Sequence, residues 1–130
     1  MLSSVVQKKI LLIDDSEVSL HFTSRALGKA GYEVRTTADV HDLHTVLGGW
    51  RPDVILTDVD MPGVTGLELC RMLKSSYETA HVPVVLFSAL PSQELENVAR
   101  ECEADGFLSK ANGLDQLPQE LELLIENALF

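Results

Sequence analysis

Four short apolar runs in this chain end on polar residues suited to phosphoryl chemistry. Lys9 to Ile13 runs into the pair Asp14-Asp15, and Val54 to Thr57 runs into Asp58. Val84 to Phe87 runs into Ser88, and Gly106 to Ser109 runs into Lys110. If the runs are neighbouring parallel strands, these ends converge at one sheet edge, where open α/β sheets bind their ligands. Three carboxylates, a hydroxyl and an ammonium would then share one site. Two carboxylates about 4 Å apart repel by roughly 4 kcal/mol at an effective dielectric near 20. Such a cluster therefore calls for a divalent cation, and Mg²⁺ (or Mn²⁺) favours carboxylate, water and phosphate oxygens. An ammonium would pair with a phosphoryl oxygen as a point charge, and a hydroxyl would donate a hydrogen bond to another.

The elements that must position these residues alternate strand and helix from end to end, which predicts a parallel sheet covered on both faces. The first strand is Lys9 to Ile13. A helix follows from about Ser16, as N-cap, to Lys29, with Gly31 ending it. A shorter, more polar strand from Tyr32 to Thr36 suits a sheet edge. A second helix covers Val40 to Leu47, with Leu43, Val46 and Leu47 inward and Gly48-Gly49 as the stop. The third strand is Val54 to Thr57. Pro62, Gly63 and Gly66 make the segment from Val59 to Gly66 a loop. Helix three then runs from about Gly66 to Lys74, with Leu67, Cys70, Met72 and Leu73 as its apolar positions.

The nearly continuous apolar run from Val82 to Phe87 predicts a fourth strand buried on both faces. Helix four spans about Ser92 to Glu103, with Glu94, Glu96, Glu101 and Glu103 read as a solvated face. Strand five is Gly106 to Ser109. The last helix carries Leu117, Leu121, Leu124, Ile125 and Ala128 at helical spacing, and Pro118 is tolerable because it lies in the first turn. The sum is five βα units.

A chain of 130 residues forms one domain able to bury a real core. Its 45% apolar and 23% charged content is that of a soluble globular protein. With 20 acidic against 10 basic residues the net charge is −10, so direct nucleic-acid binding is not expected. No apolar stretch approaches the roughly 20 residues that cross a bilayer. Met1 to Ile10 lacks a signal-peptide core, so a cytoplasmic protein without membrane insertion is expected. Cys70 and Cys102 sit in helical patterns with no partner motif and read as free thiols rather than a disulfide or metal site. His41 and His44 read as a solvated helix face.

Taken together, Asp14-Asp15, Asp58, Ser88-Ala89 and Lys110, each after its strand, resemble the response-regulator receiver domain of bacterial two-component signalling. The loop Asp58-Val59-Asp60-Met61-Pro62-Gly63-Val64-Thr65-Gly66 is similar to that family's phosphoacceptor loop, and the likeness spans essentially the whole chain. The resemblance implies a doubly wound, flavodoxin-like (βα)5 sandwich with parallel strand order 2-1-3-4-5. It implies that Asp58 accepts a phosphoryl group and that Asp14, Asp15, Asp58 and the backbone carbonyl of Asp60 hold Mg²⁺. Lys110 and Ser88 would bind the phosphoryl oxygens. Ser88 and Phe107 would form the switch that reshapes the surface of helix four, strand five and helix five. Asp60 and Leu90 are candidates for tuning the site.

The partners implied are a histidine kinase or phosphotransfer protein, a downstream effector protein or domain, and a homodimer through helix four, strand five and helix five. The chain would not be an enzyme beyond promoting its own phosphorylation and dephosphorylation. No output domain is visible, so one receiver domain over 1–130, with its core from about 8 to 129, is expected.

Simpler readings stand beside these. Asp14-Asp15 could cap the first helix, and Phe107 could be plain core. Two positions depart from the family pattern. Ala111 follows Lys110 where many receivers have proline, so a cis peptide is not assumed there. Asp60 adds a carboxylate two residues after the acceptor. Asp58-x-Asp60 after an apolar strand also resembles the first motif of haloacid-dehalogenase-type phosphohydrolases. Those enzymes place further metal-binding acids after the lysine, whereas only a short helix follows Lys110. A pseudo-receiver, with the fold but no phosphorylation, is the other rival.

Overall fold

The computed structural model describes residues 8–129. Five strands form one parallel sheet in the order β2-β1-β3-β4-β5. They are β1 (Lys9–Ile13), β2 (Glu33–Thr37), β3 (Val54–Thr57), β4 (Val84–Ser88) and β5 (Gly106–Ser109). The connecting helices are α1 (Glu17–Lys29), α2 (Leu43–Leu47, after a 3-10 turn at Val40–Asp42), α3 (Gly66–Ser75), α4 (Ser92–Cys102) and α5 (Leu117–Leu124). A π-helical turn at Ile125–Leu129 extends α5. The doubly wound architecture expected from the alternating pattern is the one the chain adopts.

Side-chain alternation along the strands sorts the core into two layers. Ile10 and Leu12 of β1, Val54 and Leu56 of β3, Val85 and Phe87 of β4 and Leu108 of β5 pack on one face. Leu20 and Leu27 of α1 and Leu117 and Leu121 of α5 cover them. Leu11, Ile13, Ile55, Val84 and Leu86 point to the opposite face, under Leu43 and Leu47 of α2, Leu69, Cys70 and Leu73 of α3, and Leu95, Ala99 and Cys102 of α4. Each fully buried leucine in these layers contributes about 1.5–3 kcal/mol of transfer free energy. β1, β3 and β4 are buried on both faces, which is why they read as unbroken apolar runs.

The element ends follow local chemistry. Ser16 caps α1 by accepting the Ser19 N–H, and Thr65 caps α3 by accepting the Glu68 N–H. Gly48 adopts the left-handed conformation that ends α2.

Several boundaries differ from expectation by a residue or two, and three of them have a clear local cause. β2 begins at Glu33 because the Tyr32 N–H is spent on the Leu27 carbonyl at the end of α1, and the Glu33 N–H makes the first ladder bond, to Lys8. β4 begins at Val84 because the Val82 N–H turns back to Thr79 and Pro83 has no N–H to give. α4 ends at Cys102, with Glu103 in the left-handed region at φ 59°. The peptide after Lys110 is trans, as no cis peptide occurs among the described residues. The first seven residues, where a signal peptide was sought, and the side chain of Ala128 lie outside the described residues.

Candidate functional site

Sheet register brings the polar strand ends together. Ile13 stands level with Thr57 across the β1–β3 pair, so the residues that follow, Asp14 and Asp58, are neighbours at the carboxyl edge. The Asp58 N–H donates to the Ile13 carbonyl at 2.9 Å, and the Asp14 N–H to the Thr37 carbonyl at 3.2 Å. Ser88 and Ser109 are level across β4–β5, which starts Lys110 from the same edge. The strand order changes direction between β1 and β3, so Asp14, Asp15 and Asp58 lie at the topological switch point.

Asp14, Asp15 and Asp58 each offer a carboxylate oxygen within 4.8 Å of the others. Asp14 is 2% exposed and Asp58 is 8% exposed, while Asp15 is open to solvent. Lys110 reaches back into this group. Its Nζ donates to Asp14 Oδ2 at 2.7 Å and to Asp58 Oδ2 at 2.9 Å, and it lies 5.5 Å from the centre of the Phe87 ring. The other oxygen of Asp58, Oδ1, accepts the N–H groups of Val59 at 2.7 Å and Asp60 at 3.1 Å. Both acceptor oxygens of Asp58 are therefore fixed, one by backbone and one by a cation.

Burial pushes the Asp14 carboxyl upward, but the Lys110 ammonium, the Ser16 N–H and the Ser19 hydroxyl outweigh it and hold the group below its ordinary value. Burial pulls the Lys110 ammonium downward, and the bonds to Asp14 and Asp58 more than reverse this. Both shifts favour the charged forms. Asp14 is thus held as an anion and Lys110 as a cation.

The remaining expected residues divide. Ser88 is buried at the end of β4, where its Oγ accepts the Leu90 N–H at 3.2 Å rather than meeting Asp58. Leu90 is half-buried beside it. Phe107 is 37% exposed, so it is not a plain core residue; its ring sits at the surface of β5. Asp60 is exposed and lies outside the carboxylate trio. Capping and clustering coexist in Asp14, whose Oδ1 accepts the Ser16 N–H while Oδ2 takes the Ser19 hydroxyl at 2.8 Å and Lys110. Ser19 is a site residue that sequence reasoning missed. Its signal was present as the third residue after the Ser16 cap, one turn into α1 from the acids. A cleft of about 310 Å³ opens beside Lys110, lined by Val18, Phe22, Phe87 and Leu114. Val18 and Phe22 are themselves exposed.

The three carboxylates suit a small divalent cation: they are hard oxygen donors, mutually within reach, with one side open to water through Asp15.

The sequence model of the response regulator receiver domain matches residues 10–122. The phosphate regulon transcriptional regulatory protein PhoB of Pseudomonas aeruginosa is 30% identical over 121 residues, covering 93% of this chain and 53% of that protein. The response regulator PleD of Caulobacter vibrioides is 37% identical over 102 residues, covering 78% of this chain and 22% of that protein. Among solved structures, the chemotaxis response regulator CheY4 of Vibrio cholerae superposes with a TM-score of 0.79 at 29% identity, covering 92% of this chain and 99% of that one. This chain spans only about half of PhoB and a smaller part of PleD. It belongs to the response regulator receiver domain family.

Proposed function

We propose that this receiver takes a phosphoryl group from a histidine kinase or phosphotransfer protein onto Asp58, in a reaction that depends on Mg²⁺ or Mn²⁺. The observation that carries this reading is the position of Lys110 Nζ between Asp14 and Asp58, with Asp15 completing the carboxylate group. Asp14, Asp15, Asp58 and the backbone carbonyl of Asp60 would hold the cation. When bound, the cation offsets the negative charge on the transferring phosphoryl oxygens. Phosphoryl transfer asks the protein chiefly for in-line positioning and charge neutralisation.

The Val59 and Asp60 N–H groups hold one oxygen of Asp58, so the carboxylate is oriented before the donor arrives. The donor's N–P bond breaks as an Asp58 O–P bond forms. Lys110 then exchanges a carboxylate oxygen for a phosphoryl oxygen. Ser88 leaves the Leu90 N–H and donates its hydroxyl to the new group. The exposed Phe107 turns inward, which remodels the face of α4, β5 and α5 for an effector or for a second copy of the chain. The added charge of about −2 and the new hydrogen bonds bias this two-state equilibrium. Asp60, exposed at the mouth, tunes the lifetime of the acyl phosphate together with Leu90. The apolar cleft at Val18 and Phe22 opens on the same mouth and suits the docking of a phosphodonor protein.

Incubation with Mg²⁺ and acetyl phosphate, followed by intact mass, tests the assignment. The expected product carries one added phosphoryl group, absent in Asp58→Asn. Sustained turnover of a phosphate ester would instead support the phosphohydrolase, and no gain in mass would support the pseudo-receiver.

A further inference from the structure

The first turn of α1 closes a hydrogen-bonded ring on Asp14. The Ser16 N–H donates to Asp14 Oδ1 at 3.0 Å, and the Ser19 N–H donates to Ser16 Oγ at 3.2 Å. The Ser19 hydroxyl then returns to Asp14 Oδ2 at 2.8 Å. Both oxygens of the carboxylate are thereby tied to one helical turn, whose geometry the Ser16 cap sets. The torsion that turns a carboxylate is soft, so an aspartate without such ties samples many orientations.

The same ties leave the two oxygens in different states. A carboxylate oxygen accepts in about two directions. Oδ2 receives the Ser19 hydroxyl and the Lys110 ammonium, which fills both. Among the described residues Oδ1 receives the Ser16 N–H and keeps one direction free. That direction is the one Asp14 can offer a cation without giving up a bond. Lys110 is the insecure partner on Oδ2. It carries the same sign of charge as a metal ion, so the two repel when they share a carboxylate. In the proposed reaction it also leaves for a phosphoryl oxygen. Ser19 is uncharged, and neither event displaces it.

Resting on the reading of Asp14 as a cation ligand, we propose that Ser19 is a positioning residue of this receiver. Its hydroxyl holds Asp14 with Oδ1 presented to the cation while Lys110 changes partner. Ser19 acts only through Asp14. Removing the hydroxyl has two opposed effects: the carboxylate loses a donor and attracts a cation more strongly, and it loses its fixed orientation. The first effect is small, because a neutral hydroxyl draws little charge from a carboxylate still bonded to Ser16 and Lys110. The second is the larger, since partners that orient a metal ligand are typically worth about 10–100-fold in affinity.

Ser19 is half-buried and borders the cleft beside Lys110. A threonine there keeps the hydroxyl and places its methyl group in that cleft, whereas alanine removes only the oxygen. Calorimetry of Mg²⁺ binding to the full chain, without phosphodonor, compares wild type, Ser19→Ala and Ser19→Thr. Ser19→Ala is expected to bind about tenfold more weakly, with most of the loss recovered in Ser19→Thr. Equal or tighter binding by Ser19→Ala overturns the role, as does a threonine variant no better than alanine. A second arm follows labelling of Asp58 by acetyl phosphate across Mg²⁺ concentration. The magnesium needed for half-maximal labelling should rise in step with the calorimetric constant. A fall in maximal rate alone, with an unchanged magnesium requirement, would make Ser19 merely structural and overturn the role. If the wild type takes no Mg²⁺, the cation reading fails and the role of Ser19 with it. If wild type and Ser19→Ala take it equally, only the role of Ser19 fails.

Discussion

Lys110 Nζ stands 2.9 Å from Asp58 Oδ2, although 52 residues separate them in the chain, and the same ammonium is bonded to Asp14. It acts as a built-in counter-ion for two buried carboxylates. Replacing it with methionine keeps most of the side-chain volume and removes the charge. In the presence of EDTA, Lys110→Met is expected to lose about 1.5–3 kcal/mol, the range for hydrogen bonds to charged groups. Added Mg²⁺ should then raise its melting temperature more than that of the wild type. Thermal melts with EDTA and with Mg²⁺ check both expectations; an equal magnesium response would show that Lys110 and the cation do not share ligands.

Asp14 gives a pH prediction. Its folded value lies below the ordinary 3.8. A depressed carboxyl contributes stability that is complete above the unfolded value and is lost as pH falls through the folded one. The contribution from Asp14 should therefore persist down to about pH 4 and disappear below it. Urea unfolding across that range, without metal, should give a shallower acid slope for Asp14→Asn than for wild type.

Gly66 opens α3 where there is no room for a side chain. A β-carbon there would stand 3.1 Å from Val59 Cβ and 3.3 Å from Val98 Cγ1. Both neighbours are β-branched and stiff, and Val59 is buried. Gly66→Ala should cost about 1–2 kcal/mol, because overpacking outweighs the gain in helix propensity. The midpoint of urea denaturation measures it, and an unchanged midpoint would mean that the loop yields.

Glu103 is the one non-glycine residue with positive φ among those described. It is exposed and ends α4. Glu103→Gly should stabilise the chain by roughly 0.5–1 kcal/mol by relieving the left-handed backbone. A matched pair of denaturation curves is sufficient.

The proposed tuning of acyl-phosphate lifetime by Asp60 can be measured directly. If its carboxylate orients the attacking water, Asp60→Asn should lengthen the phosphoryl half-life several-fold. Following loss of the label after removal of the phosphodonor decides this, and equal half-lives would remove Asp60 from the reaction.

Much of this was legible because the relevant signals are local. β1, β3 and β4 are covered on both faces, so their apolar runs were unbroken and each pointed to the acid or hydroxyl at its end. The edge position of β2 showed in its polar residues, yet its first residue was displaced by one because Tyr32 belongs to the close of α1. What stayed hidden depends on which helices share a face. Cys70 and Cys102 are free and buried as their helical patterns suggested, but they carry no mark that α3 and α4 place them in one core layer. The reach of Lys110 to Asp14, and the Ser19 hydroxyl beneath it, needed the register of three strands and the first turn of α1. The outward Phe107 ring is a rotamer choice that composition does not encode.

The single tryptophan lies far from this chemistry. Trp50 precedes β3, at the opposite end of that strand from Asp58. Its indole N–H donates to Glu33, and the Arg35 guanidinium lies 4.8 Å from the centre of its ring. Intrinsic fluorescence from this chain therefore reports the peeling of the polar border strand. Quenching titrations, a common optical route to metal affinity, should stay flat here, and affinity will have to be read by calorimetry or by a fluorophore placed nearer the acids.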